Sequence, residues 1–169
     1  MTFLPEGYQA PAGNYLKFKE GDTTFRILSS AIVGYEYWTK ENKPVRSREP
    51  FDDTPNGKTD DKGNVRVNHF WAFVAWNYDA QKVQIAQITQ SSIKNQIEAY
   101  LKNPKWGDPK AYDFVVTRKG QGFSDTEYNV VANPKEDLDA KIEGAYRAKK
   151  IDLERLFAGE DPFSNEKEK

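Results

Sequence analysis

Apolar positions are most continuous over residues 69–78, HFWAFVAWNY, where Phe70, Ala72, Val74 and Trp76 fall on one side of an extended chain and His69, Trp71, Phe73 and Ala75 on the other. A strand that is apolar on both sides needs cover on both, a barrel interior on one and a helix or bound ligand on the other. Shorter alternations predict further strands. Over 23–28, Phe25 and Ile27 oppose Thr24, Arg26 and Leu28; over 31–38, Val33, Tyr35 and Tyr37 oppose Ile32, Glu36 and Trp38. Residues 82–88 return from a turn at 77–81 to complete a hairpin with 69–78. A second hairpin pairs 112–118 with 125–132 through a turn carried by Gly120 and Gly122. Helical spacing appears twice: Ile93, Ile97, Tyr100 and Leu101 over about 91–101, capped by Thr89 or Ser91 and stopped by Asn103-Pro104, and Leu138, Ile142 and Tyr146 over 135–146. Asp152 opens a last turn that runs to Phe157.

These elements predict one mainly β domain with added helices. The economical arrangement over 15–132 is a five-stranded, partly open barrel of the oligonucleotide-binding type with one inserted helix near 91–101, because closing a sheet removes its unpaired edges. Around it stand a loose N-terminal arm at 1–14, a long Gly/Pro/Asn/Asp-rich loop or hairpin excursion at 50–64, and a C-terminal helical segment at 133–157. Residues 158–169 are expected to form a flexible, disordered acidic tail.

Composition removes several function classes. The 169 residues include no Cys and one His, so neither a disulfide framework nor a Cys/His zinc site is available, and no cofactor is expected. Ser29-Ser30 and Ser91-Ser92 have one His between them, and Gly120-Gln121-Gly122 has no following Gly or strand-to-helix setting, so the chain is not expected to be an enzyme. Asp52-Asp53 and Asp60-Asp61 read as solvated loop acids. No basic leader precedes an apolar run and no apolar run approaches the roughly 20 residues of a membrane span, so a cytoplasmic protein without membrane contact is expected. A net charge of −1 means that positive charge must be local if the ligand is a polyanion.

It is local after residue 38. From 39 to 48, Lys40, Lys43, Arg46 and Arg48 face one acid, Glu41, directly after the aromatic run. Rings beside a cationic loop suit unpaired nucleic acid, in which every base has a face to stack on and every nucleotide a phosphate to neutralise. The candidate stacking rings are Tyr35, Tyr37, Trp38, Trp71 and Phe73. The candidate phosphate contacts are Lys17, Lys19, Arg26, Lys40, Lys43, Arg46, Arg48, Arg118 and Lys119. From Asp152 on, six acids face three bases, and Asp161, Pro162 and Phe163 set an apolar pair in a polar terminus; such a tail can lie in a basic groove in place of nucleic acid and offer Phe163 to partners. An RNA-binding chaperone shares nearly all this chemistry, and a carbohydrate-binding module would use Tyr35, Trp71 and Trp76 against sugar rings.

The stretches YLKFKEGDTTFRILSSAIVGYEYW, KPVR, FWAFVAWNY and NPKWGDPKAYDFVVTRKGQG, with the acidic DPF at 161–163, resemble the single-stranded DNA-binding proteins of tailed bacteriophages over about 15–132. The resemblance implies an oligonucleotide-binding fold that coats replication, recombination and repair intermediates without strong sequence preference, in the host cytoplasm. It also implies an acidic C-terminus that recruits phage replication or recombination proteins.

Overall fold

The computed structural model describes residue 3 and residues 13–120 and 125–163. The expected arm at 1–14 and the tail beyond Phe163 lie mostly outside the described residues, as does Gly122 of the second hairpin turn. Among the described residues, seven strands form one antiparallel sheet: β1 (Gly21–Ile27), β2 (Ile32–Trp38), β3 (Pro44–Ser47), β4 (Asn68–Asn77), β5 (Lys82–Ile88), β6 (Asp113–Lys119) and β7 (Glu127–Ala132). Among the described residues, two α-helices, α1 (Ser91–Leu101) and α2 (Ala140–Lys149), a short 3₁₀ turn (Pro109–Ala111) and a longer 3₁₀ segment (Leu153–Ala158) complete the C-terminal half.

β4 organises the sheet. Along one edge, its first half pairs with β2 and its last three residues with β1, so β1 and β2 lie end to end; along the other edge it pairs with β5 from Trp71 to Asn77. Both faces are buried, as the two-sided apolar pattern requires. Phe73 and Ala75 pack toward Ile93 and Ile97 of α1, together with Phe25, Phe114 and Val116. Val74 and Trp76 meet Ile142 of α2, while Phe70 and Ala72 meet Leu156 and Phe163. Gly34 of β2 allows this second cover to close, since a Cβ there would stand 2.5 Å from the Ser47 carbonyl and 3.0 Å from the Phe157 ring.

The expected five-stranded barrel is replaced by a seven-stranded sheet that does not close. The six stretches read as extended all form strands, one more than a five-stranded barrel uses, and a seventh arises because Pro44–Ser47, read as basic loop, folds back on β2 through a turn at Asn42 with φ of 62°. The edges that would meet have other partners. On the outer edge of β5, the Leu16 amide donates to the Ile85 carbonyl and the Ile85 amide to the Asn14 carbonyl, both at 2.9 Å. On β7, the Gln96 side chain of α1 stands in for a neighbouring strand: its amide donates to the Tyr128 carbonyl and its oxygen accepts from the Val130 amide, each at 2.8 Å. The Tyr100 hydroxyl accepts from the Ala132 amide at 3.2 Å.

Helix α1 has the expected bounds, but its N-cap is Gln90, with no side-chain capping bond. Helix α2 begins later than the 135–146 pattern predicts because Asp139 caps it, accepting from the Lys141 amide, while the preceding segment is strapped to the sheet. There the Arg26 guanidinium donates to the Lys110 and Glu136 carbonyls, each at 2.7 Å, and pairs with Asp113 at 3.4 Å. Tyr78 donates to Asp113 at 2.8 Å, and burial followed by the Asp113 carboxylate pushes the Tyr78 phenol up to about 12. Asp152 caps the 3₁₀ segment as expected. Residues 158–161 are exposed, but the chain then returns to the body with Pro162 and Phe163 buried, the latter 5% exposed, where a disordered tail was expected from residue 158.

Three outcomes follow. Gln96→Ala leaves a backbone donor and acceptor on β7 without their partner and should cost about 2 kcal/mol in denaturant unfolding. Phe163→Ala should cost about 3 kcal/mol by vacating an aromatic site against β4 and β5, whereas a frayed terminus would register no change. Because the Tyr78 pKa is raised on folding, its contribution is full below pH 10 and is lost as pH rises toward 12; Tyr78→Phe should flatten that alkaline decline in thermal melts.

Candidate nucleic-acid interface

The predicted rings separate onto two faces. Tyr35, Tyr37, Trp71 and Phe73 share the α1 side of the sheet, since Tyr35 pairs with His69 and Val33 with Trp71, and Trp38 projects to the opposite side with Glu36. Tyr37 is 2% exposed, with its hydroxyl donating to the Pro55 carbonyl at 3.1 Å and its ring edge-on to Phe51. Phe73 lies in the core beside Phe25. Both are structural rings because the loop at 50–56 and α1 cover them. Tyr35 is half-buried against His69 at 5.0 Å between centroids, and Trp71 is half-buried on the wall of a 300 Å³ apolar opening with Ile27, Ile97 and Leu101. Trp38 alone of the five is exposed, at 41%.

Three openings adjoin one another, two of them at Trp38. One of about 330 Å³ is lined by Tyr15, Lys17, Lys19, Thr23 and Asn77; it shares Tyr15 and Lys17 with a second of about 960 Å³, lined also by Trp38, Lys43, Pro44, Arg46 and Gln87. The second shares Trp38 with a third of about 510 Å³, which adds Lys58, Arg66 and Asn68. Together they form a track with two exposed rings, Tyr15 and Trp38, and six cations: Lys17, Lys19, Lys43, Arg46, Lys58 and Arg66. The acids on its walls are Asp60, Asp79, Glu160 and Asp161. Lys58 and Arg66 stand on the two arms of the excursion, whose backbone is tied to the end of β2 and the residues after it by the Lys58 amide donating to the Trp38 carbonyl at 2.7 Å and the Lys40 amide to the Asn56 carbonyl at 3.0 Å.

Not every predicted cation reaches this track. Arg26 is 3% exposed and strapped to Lys110, Asp113 and Glu136, so it holds the chain together and has no face for phosphate. Arg48 pairs with Glu154 and lies 4.5 Å over the Phe157 ring, fastening the 3₁₀ segment to the end of β3. Arg118 donates to the Phe18 carbonyl at 3.1 Å. Lys40 and Lys119 are exposed but line none of the three openings. Tyr15, Lys58 and Arg66 are members that sequence reading missed. The turn signals Asn56-Gly57 and Lys62-Gly63-Asn64 mark the excursion as a hairpin, and folded onto β2 it brings its two cations to Trp38.

The electrostatics of the middle opening centre on Arg46, whose Nε donates to the Glu36 carboxylate at 2.9 Å. The C-terminal strap stands beside it. Burial raises the Tyr15 phenol above its usual range, Arg46 opposes that shift, and Asp161 and Glu36 add to it. Asp161 also accepts from the Phe163 amide at 2.9 Å, and the Asp152 amide donates to the Pro162 carbonyl at 3.0 Å, so the acid and the buried ring are parts of one folded strap. Among the described residues no group of three or more His, Asp or Glu side chains could hold a metal, and no helix is long and apolar enough to cross a membrane.

No family model and no solved structure matches the chain. A curated protein of Escherichia phage T5, named "Probable ssDNA-binding protein", is 29% identical over 143 residues, which cover 69% of this chain and 53% of the relative. The chain thus spans about half the length of that relative and resembles, in part of its sequence, a phage protein named for binding single-stranded DNA.

Proposed function

We propose that this chain coats single-stranded DNA exposed in replication, recombination and repair, without strong sequence preference, along the track from Lys19 past Trp38 to Arg66. The observation that carries the reading is the exposed Trp38 ring set between two openings whose walls supply Lys17, Lys43, Arg46, Lys58 and Arg66. Bases stack on Trp38 and Tyr15 whatever their identity, and the cations follow the phosphates. The phage relative named for single-stranded DNA supports the same ligand. Tyr35 and Trp71 form a second, less charged ring surface on the other face, and Lys40 and Lys119 add distant phosphate contacts.

The C-terminal strap has two parts in this reading. Glu160 and Asp161 stand on the wall of the central opening, where their carboxylates take the place of phosphates. DNA that displaces them loosens Asp161-Pro162-Phe163 from the body, and the freed Phe163 becomes the contact for replication or recombination proteins.

Intrinsic tryptophan fluorescence and the anisotropy of labelled oligo-dT, oligo-U and an oligosaccharide test the ligand class. Trp38→Ala should weaken oligo-dT binding by about 1–3 kcal/mol with the fold intact by circular dichroism, and Tyr37→Ala should act through stability instead. Unchanged affinity in Trp38→Ala, or preference for the oligosaccharide, would remove the track as the site. The double substitution Glu160→Gln with Asp161→Asn keeps the Phe163 packing; it should tighten oligo-dT binding at low salt, and the gain should fade as salt screens the attraction.

A further inference from the structure

Within this proposed groove, one cation is held differently from the others. Lys17 and Lys43 are exposed, whereas the Arg46 side chain is 9% exposed and fixed on one side by two partners, Glu36 on the adjacent strand β2 and Gln87 on β5. Its Nε donates to Glu36 Oε2 at 2.9 Å and its Nη2 to Gln87 Oε1 at 3.1 Å, while Gln87 Nε2 donates to the same Glu36 oxygen at 2.6 Å. These three side chains close a ring of hydrogen bonds across β2, β3 and β5. Glu36 itself is buried, with a side chain 4% exposed. A guanidinium carries five N–H donors in a rigid plane, so a ring that uses Nε and one Nη2 hydrogen leaves the Nη1 edge over. Nη1 has no partner among the described residues, and Arg46 and Gln87 both line the central opening.

We infer that Glu36 and Gln87 are positioning residues that hold Arg46 as a preset phosphate fork in the centre of the groove. The inference rests on the single-stranded DNA reading above. A buried ion pair adds little stability by itself, because desolvation offsets its Coulomb attraction. An arginine held on one edge with the other left over gives up little conformational freedom when a phosphate arrives, and the planar fork matches two phosphate oxygens where an ammonium offers a point charge. Glu36 also tempers the site: its carboxylate neutralises part of the guanidinium charge, so Arg46 supplies geometry at the centre while the exposed lysines supply most of the long-range attraction.

The test uses the full chain and labelled oligo-dT, with anisotropy titrations repeated over a series of salt concentrations. Gln87→Leu removes one holder and leaves both charges in place; it should weaken binding several-fold and make the slope of log affinity against log salt shallower by about 0.7, the loss of one single-strand phosphate contact. Arg46→Lys keeps the charge but not the fork. It should lose about tenfold in affinity. Glu36→Gln keeps an acceptor for Nε while removing the opposing charge, and should bind as tightly as the parent or more tightly. A ring that serves stability alone would give Gln87→Leu a lower melting temperature with parental affinity and salt slope, and that result overturns the inference. Should Glu36→Gln fail to fold, Gln87→Leu and Arg46→Lys still decide. Trp38→Ala and Lys43→Ala separate the two levels: weakened binding in these with parental binding in Gln87→Leu and Arg46→Lys sinks the fork and leaves the groove, and a parent that does not bind oligo-dT sinks both.

Discussion

Strand β4 is apolar on both faces and cannot be exposed on either, and the arrangement of the chain follows from that. One face is closed by α1, which follows β5 directly. The other is closed by residues from the last quarter of the sequence, Ile142, Leu156 and Phe163, which must travel back across the sheet to reach it. Burying large aromatic and β-branched side chains at about 25 cal/mol per Å² of apolar area gives this return path its driving force. Arg26 and Arg48 are drawn into the same task. Arg26, buried, straps the segment before α2, and Arg48, on the surface, pairs with Glu154 of the 3₁₀ segment, so two cations predicted to meet phosphate have partners within the chain.

The open sheet has a comparable cause. Closing a barrel requires the outer edges of β5 and β7 to meet, and both already have partners in the chain ends of other elements. Residues 14–16 lie along β5, and the Gln96 primary amide offers β7 one donor and one acceptor, as a residue of a neighbouring strand would. The Ile85 backbone on β5 and the Tyr128, Val130 and Ala132 backbone on β7 are thus paired without closure, which also protects these edges from pairing with another chain.

The wrap of the C-terminal segment brings its acids to the groove. Phe163 is pulled into the apolar face of β4 and β5, and the two residues before it are carried past Arg46 and Tyr15 as a consequence. The charge of the groove is thus a balance between cations contributed by the N-terminal half and carboxylates delivered by the far end of the chain.

Periodicity alone determined where most strands and α1 lie, because side-chain alternation and helical spacing are local properties of the residues concerned: β5 and α1 have the predicted bounds, and β4 is displaced by one residue. The pairing of an aromatic run with a cationic segment was also legible, and Trp38, Lys17, Lys43 and Arg46 do line one groove. What local pattern could not supply was which side of the sheet the rest of the chain would cover. Tyr37 and Trp38 are adjacent and equally aromatic, yet one lies under Pro55 and Phe51 while the other is exposed. Alternation put them on opposite faces; only the paths of the 50–64 excursion and the C-terminal strap decided which face would stay open. The fates of Arg26, Arg46 and Phe163 were settled in the same way, by partners 10 to 110 residues away in sequence, and such partners leave no mark on the local spacing of polar and apolar residues.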